Sequence, residues 1–139
     1  MSAPAAAANG AINACSLVTG AQASALSGRK YGTGVASVLA SGIDQCEYPD
    51  LSRFGGVWEL IVYEPSSGIT LSSLQPQLRS GGRTVTEVSG VGDKAEFAGT
   101  DLDVMAGKYV FDVDGATGAD LSAGAIAIAK QIASELASK

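Results

Sequence analysis

The sequence predicts an α+β fold: an antiparallel sheet with helices packed mainly on one face, and a long C-terminal helix. Residues 57–64 are rich in β-branched and aromatic side chains and are apolar on both faces of a strand, as expected inside a sheet. Residues 102–113 form two apolar arms that meet at Ala106-Gly107, which is typical of a hairpin. Residues 118–137 repeat apolar side chains with the helical period.

Composition limits the classes of function. The 139 residues fit one domain, and we predict a flexible tether over residues 1–13 and a single α+β domain over residues 14–139. A net charge of −5 with scattered Lys and Arg disfavours nucleic acid and anionic membrane surfaces. The absence of His removes the Ser-His-Asp triad and most zinc sites. We therefore predict a non-enzymatic protein with no catalytic residue, cofactor or metal; an enzyme using carboxylates or Lys is the alternative.

The first residues favour export. Met1 is followed by small residues, and this stretch lacks the positively charged start and apolar run of a signal peptide. We expect it to be the tether of an exported protein whose signal peptide has been removed. A flexible start of a cytosolic protein is the alternative.

A short helix is predicted after the tether. Thr19 and Gln22 have the spacing of a capping box, and Gly28 is suited to end the helix in a left-handed conformation. Because so short a helix is marginal alone, it needs a tertiary anchor.

The two cysteines provide a candidate anchor. Cys15 and Cys46 allow a single pairing, which would tie the first helix to a strand at residues 45–48. Closing a loop of about 30 residues would stabilise the fold by roughly 3 to 3.5 kcal/mol in the chain-entropy model. Such a bond belongs to an oxidising compartment. Two buried free thiols are the alternative, and a metal site would need more soft ligands.

The middle of the chain predicts strands around one helix. Residues 31–40 are a loose edge strand or a loop, and residues 45–48 pair with the central strand in antiparallel fashion. Leu71, Leu74 and Leu78 lie on one helical face. Because Pro76 is tolerated only in the first turn, we predict Ser73 as the N-cap of a short or kinked helix ending near residues 80–82. Two further strands are predicted, at residues 83–89 and 94–98.

The last helix is predicted to cover the sheet. Thr117 and Asp120 have the spacing of a capping box at its start. Its apolar stripe comprises Leu121, Ala125, Ile128, Ile132 and Leu136. We expect this stripe to form the core with Trp58, Leu60 and Val62.

Three short motifs occur in this order. They are Cys-Ser-Leu-Val-Thr at 15–19, Cys-Glu-Tyr at 46–48 and Gly-Val-Gly-Asp-Lys-Ala at 90–95. From Cys15 onward the chain resembles a group of exported bacterial lipoproteins, many of them actinobacterial, that are domains of unknown function. The resemblance implies export to the periplasm or cell surface, a lipid anchor upstream of the tether as the sole membrane contact, a Cys15–Cys46 bridge and an α+β fold. It implies no catalytic residue. Gln22 departs from the group, which often carries an acidic residue in this helix.

The C-terminal hairpin region carries four aspartates. Asp101 and Asp103 share one strand face, and the hairpin can bring Asp112 near them, with Asp114 next on its strand. Four carboxylates so placed suggest a calcium site as one interpretation. Because the EF-hand spacing and its terminal Glu are missing, we favour the alternative that these carboxylates are solvated strand-edge charges. Gly90-Val91-Gly92-Asp93 is interpreted as a turn, since it lacks the Lys and Ser/Thr of a phosphate-binding loop.

The sheet face away from the helices is the candidate binding surface. Its predicted residues are Tyr48, Val57, Ile61 and Tyr63. An apolar patch of this kind commonly binds a ligand or a protein, unless loops cover it. We expect an exported cell-envelope domain that binds a small apolar molecule or a partner protein there. A structural subunit that assembles into a homo-oligomer is the alternative.

Overall fold

The computed structural model describes residues 12–51, 57–115 and 121–139. Its three helices are α1 (Gly20–Ser27), α2 (Leu71–Leu78) and α3 (Leu121–Ala137). Its seven strands are β1 (Val35–Ala40), β2 (Ile43–Pro49), β3 (Val57–Tyr63), β4 (Thr86–Val88), β5 (Lys94–Ala98), β6 (Asp101–Ala106) and β7 (Tyr109–Asp114). In these ranges no helix has the length and apolar character needed to cross a membrane.

The strands form one antiparallel sheet in the order β1-β2-β3-β7-β6-β5-β4. This confirms the predicted α+β fold with a long C-terminal helix. β3 lies inside the sheet between β2 and β7, as its two apolar faces indicated. The β6–β7 hairpin turns at Gly107-Lys108, one residue later than predicted.

The main core lies between the sheet and the helices α1 and α3. Trp58, Leu60 and Val62 point from β3 into this core and are fully buried. From α3 the core receives Ala125, Ile128, Ala129, Ile132 and Leu136. The predicted stripe is therefore confirmed from Ala125 onward, while the Thr117–Asp120 capping box and the side chain of Leu121 lie outside the described residues.

α1 is held at its start by local contacts and by the disulfide. The hydroxyl of Thr19 accepts from the Gln22 amide, and the Gln22 side chain accepts from the Thr19 amide, which confirms the capping box. Gly28 ends the helix at φ 77°. Cys15 is bonded to Cys46 on β2, so the predicted bridge is present and the free-thiol alternative is wrong.

The predicted start of α2 is wrong. Thr70, not Ser73, is the N-cap, and Ser73 is the N3 partner of a second capping box. Pro76 therefore lies inside the helix, beyond the first turn. Pro76 has no N–H to donate to the carbonyl of Ser72, so the helix lacks one backbone hydrogen bond there, and it ends two residues later. A 3₁₀ turn at Ser80–Gly82 follows it, as the glycines there indicated.

α2 is the helix that lies on the opposite face of the sheet. Leu71 and Leu74 pack on Val110, with Tyr63 and Met105 beside them. These three sheet residues lie in one cross-strand row, since Tyr63 pairs with Val110 and Val110 with Met105. α2 thus covers one row of this face and leaves the adjacent rows to form the surface described below.

Candidate functional site

Eight acidic residues occupy the sheet face opposite α1 and α3 in the described part of the chain. We call this surface the acidic face; its members are Glu47, Glu59, Glu87, Glu96, Asp101, Asp103, Asp112 and Asp114. The pairing register places them in two adjacent cross-strand rows. One row runs Glu47, Glu59, Asp114, Asp101, and the other contains Ile61, Asp112, Asp103, Glu96 and Glu87.

The interpretation of the aspartates as strand-edge charges is wrong. β6 and β7 are interior strands, flanked by β5 and β3. Asp103 is only 4% exposed, while Asp101, Asp112 and Asp114 are half-buried. Carboxylates directly opposite one another destabilise a sheet unless a counter-charge or a proton intervenes. The arrangement therefore needs a functional or electrostatic explanation.

A cleft of about 240 Å³ lies over the four aspartates. It is walled by Leu74, Gln77 and Leu78 of α2 and by Ile61, Tyr63 and Arg83. The guanidinium of Arg83 donates to the Asp101 carboxylate, with Nη1 and Oδ2 3.0 Å apart, and to the Gln77 carbonyl. The cleft therefore combines apolar walls with an acidic floor and one cation at its rim.

Three of the aspartates converge on one point. One carboxylate oxygen each of Asp101, Asp112 and Asp114 lies within 4.8 Å of the others. A calcium ion holds its oxygen ligands at about 2.3–2.6 Å, so two ligands of one ion are at most about 5 Å apart. The three oxygens therefore have a separation that one such ion can bridge.

Asp112 lacks a protein partner for one of its oxygens. Its Oδ1 atom is buried and accepts no hydrogen bond within the described part of the chain. A buried acceptor left unsatisfied costs about 1–3 kcal/mol, and more when it is charged. Asp112 lines the cleft, so a ligand there can reach this group.

The titration of the cluster reflects burial and mutual repulsion. Burial raises the pKa of Asp114 to about 7, and the neighbouring Asp101 carboxyl adds to the rise. Burial also raises the pKa of Asp103 to about 6. Asp112 has a pKa well above its usual value, because it is buried and contacts the Asp103 carboxyl. Between pH about 6 and about 7 Asp103 and Asp114 are therefore partly protonated, and a bound cation would displace these protons.

The same groups define what chemistry an enzyme would use here. Carboxyl groups that titrate near neutral pH are suited to general acid–base catalysis. The enzymatic alternative would therefore place its catalytic groups among Asp103, Asp112 and Asp114.

The predicted binding residues do not share one surface. Tyr48 pairs with Trp58, so it points into the core, where it is fully buried, stacks on the Trp58 indole and donates to the Val18 carbonyl. Its placement on the open face was wrong, because the strand register was not visible in the sequence. Val57, Ile61 and Tyr63 do lie on that face: Val57 is 47% exposed, and the other two are half-buried and line the cleft.

Several members of the acidic face were missed by sequence reasoning. Glu47, Glu59 and Glu96 lie on three different strands, and only the pairing register brings them beside the aspartates. Arg83 was assigned to a strand, but it lies in the segment between α2 and β4 and reaches over Gly99. The signal that was available was the alternation of acidic and apolar residues in β6 and β7.

Comparison of the chain with protein-family models, with curated proteins and with solved structures gives no match.

Proposed function

We propose that this protein is an exported, non-enzymatic binding domain, and that its acidic face binds a divalent cation of the calcium class. The ligands would be Asp101, Asp112 and Asp114. The observation that carries the proposal is the convergence of three carboxylate oxygens on one point, beside a buried Asp112 oxygen that has no protein partner in the described residues.

Electrostatics favours a cation at this position. Five acidic residues, counting Asp103 and Glu59, surround the point of convergence, and among the described cleft residues only Arg83 is basic. One guanidinium cannot neutralise five carboxylates, and a divalent ion would offset two of the four negative charges that remain when all five are ionised.

The donor set selects the class of cation. All of the candidate ligand atoms are carboxylate oxygens, which suit the hard ions Ca²⁺, Mg²⁺ and Mn²⁺. The softer alternatives are disfavoured because the chain has no His and both cysteines are in the disulfide. Calcium fits best, since it tolerates irregular geometry and an incomplete protein shell completed by water.

Export and calcium binding support one another. The disulfide is typical of oxidising compartments outside the cytosol. Extracellular calcium modules work with dissociation constants of about 10⁻⁴–10⁻³ M, which is what three carboxylates and several waters would provide. The earlier expectation of a small apolar ligand or a partner protein on the same face rests on Val57, Ile61 and Tyr63 and stays a prediction.

Thermal unfolding with and without calcium tests the proposal. At neutral pH, calcium at about 100 times the dissociation constant should stabilise the protein by about 2.7 kcal/mol. Asp112→Asn should abolish this stabilisation. Without calcium it should raise the melting temperature, because the amide removes the cost of keeping a buried carboxyl protonated near neutral pH. Glu135→Gln, which removes one acidic charge on α3 across the sheet, is the matched control and should respond to calcium like the wild type.

Asp112→Asn should raise the melting temperature without calcium and lower it, relative to the wild type, with calcium. This pair of results distinguishes a calcium-binding site from a cluster that only stabilises the fold. A purely structural role would lower the melting temperature in both conditions. The proposal is overturned if calcium leaves the wild type unchanged, or if Asp112→Asn responds to calcium as the wild type does.

A further inference from the structure

The two edges of the sheet are protected to different degrees. β4 is three residues long and carries Glu87, which lies 3.9 Å from the Lys94 ammonium on β5. Short strands and charged side chains are the usual means of blocking an edge against pairing. β1 is six residues long, and none of its residues is charged.

β1 exposes apolar side chains along its whole length. All six of its residues are exposed, including Val35 at 62%, Val38 at 43% and Leu39 at 52%. Within the described ranges, β2 is the only strand that pairs with β1. No described residue pairs with the outer backbone groups of β1, and such an edge can pair with another extended strand.

We propose that β1 pairs with β1 of a second copy of this chain. Antiparallel pairing about a two-fold axis would join the two sheets into one continuous sheet. Every residue of the strand is Val, Ala, Leu or Ser, so each register sets small or apolar side chains opposite one another. Such cross-strand pairs stabilise a sheet, whereas a charged edge would repel its own copy. This contact is independent of the cation site.

The charge of the protein is compatible with this arrangement. Three strand spacings separate β1 from β7, so the two β7 strands of a dimer would be seven spacings apart. At about 4.8 Å per spacing this is roughly 34 Å, several times the Debye length of about 8 Å at physiological ionic strength. Repulsion between the two aspartate clusters is therefore screened. The acidic-face residue nearest the contact is Glu47 on β2, which would be three spacings, or roughly 14 Å, from the β2 strand of the second copy and so also beyond the Debye length.

The geometry also limits the size and strength of the assembly. Because β4 is blocked, each copy has one open edge, and pairing closes at a dimer instead of growing into a fibre. The register slips between Val38 and Ala40, so the regular part of the edge is Val35–Val38. Backbone pairing over so few residues buries less area than a standard protein–protein interface, so we expect a weak, reversible dimer.

Sedimentation velocity over protein concentrations from about 1 µM to about 1 mM tests the proposal. The wild type should shift from monomer to dimer. Val35→Lys, which places an exposed charge on the edge, should remain a monomer with an unchanged circular dichroism spectrum. Val57→Lys is the matched control, since Val57 is 47% exposed but lies on β3, and it should dimerise like the wild type.

Amide hydrogen exchange identifies the contact directly. Amides of residues 35–38 should gain protection as the concentration rises. A monomer throughout the range, a dimer that survives Val35→Lys, or protection that is independent of concentration would each overturn the proposal. The last result would mean that another part of the same chain covers the edge.

Discussion

Lowering the pH from about 8 to about 5 should stabilise the protein when divalent cations are removed by a chelator. The pKa of Asp103 is raised in the folded state, so this group binds a proton below pH about 6, whereas it stays ionised in the unfolded chain until pH about 4. Over that interval the folded state binds more protons. Stability therefore rises as the pH falls.

The size of the effect follows from Asp103, which is only 4% exposed and needs no correction for solvent screening. Its pKa rises from 3.8 to about 6, so between pH about 8 and about 5 the folded state gains about one pH unit of linked stability, or about 1.4 kcal/mol. Asp44 acts with the same sign, since burial and the neighbouring Glu64 raise its pKa to about 7. For a domain of this length, the Asp103 contribution alone corresponds to a change in melting temperature on the order of 5 °C.

Thermal unfolding followed by circular dichroism measures this change. Asp103→Asn should flatten the pH profile and raise stability at pH about 8, because the amide cannot ionise and can donate to Asp112. Glu135→Gln is the control and should keep the wild-type slope. A profile that is flat or falls between pH about 8 and about 5, or a wild-type slope in Asp103→Asn, would refute the reasoning.

Two further predictions concern the disulfide and the backbone beside it. Replacing Cys15 and Cys46 together by Ala should lower the free energy of unfolding by about 3 kcal/mol in denaturant titrations, and a loss below about 1 kcal/mol would contradict the anchoring role. Gly34→Ala should destabilise by about 1–3 kcal/mol, because its Cβ would overlap the Cys46 sulfur and crowd the Tyr48 ring. Thr33→Ala, which truncates the exposed side chain of the preceding residue, is its control. If both substitutions changed stability by the same small amount, the neighbouring side chains would have accommodated the added methyl group of Gly34→Ala.

The features predicted correctly are those that short sequence patterns determine. The capping box of Thr19 and Gln22 needs only a three-residue spacing, so it could be identified directly. The apolar faces of β3 and α3 were identified because burial imposes a period on the sequence. The error at α2 also has a local origin. Thr70 and Ser73 are both suitable N-cap residues, and Ser73 was chosen because it would have placed Pro76 in the first turn.

The acidic face could not be predicted because it depends on strand order. Asp103 and Asp112 were expected to approach each other across the β6–β7 hairpin. The sequence of that hairpin does not show that β3 and β5 flank it and so place the aspartates inside the sheet. Tyr48 was misplaced for a related reason. The sequence showed that side chains along β2 point alternately to the two faces of the sheet. Which of the two sets lies on the same face as Trp58 depends on the register between β2 and β3.

Calorimetric titration of calcium into the intact protein at pH about 6.5, in two buffers with different ionisation enthalpies, tests the central claim most directly. We expect one ion to bind per chain with release of protons from the aspartates, because the pKa values of Asp103 and Asp114 lie near this pH. Absence of binding, or binding without proton release, would contradict the assignment of the acidic face as a cation site.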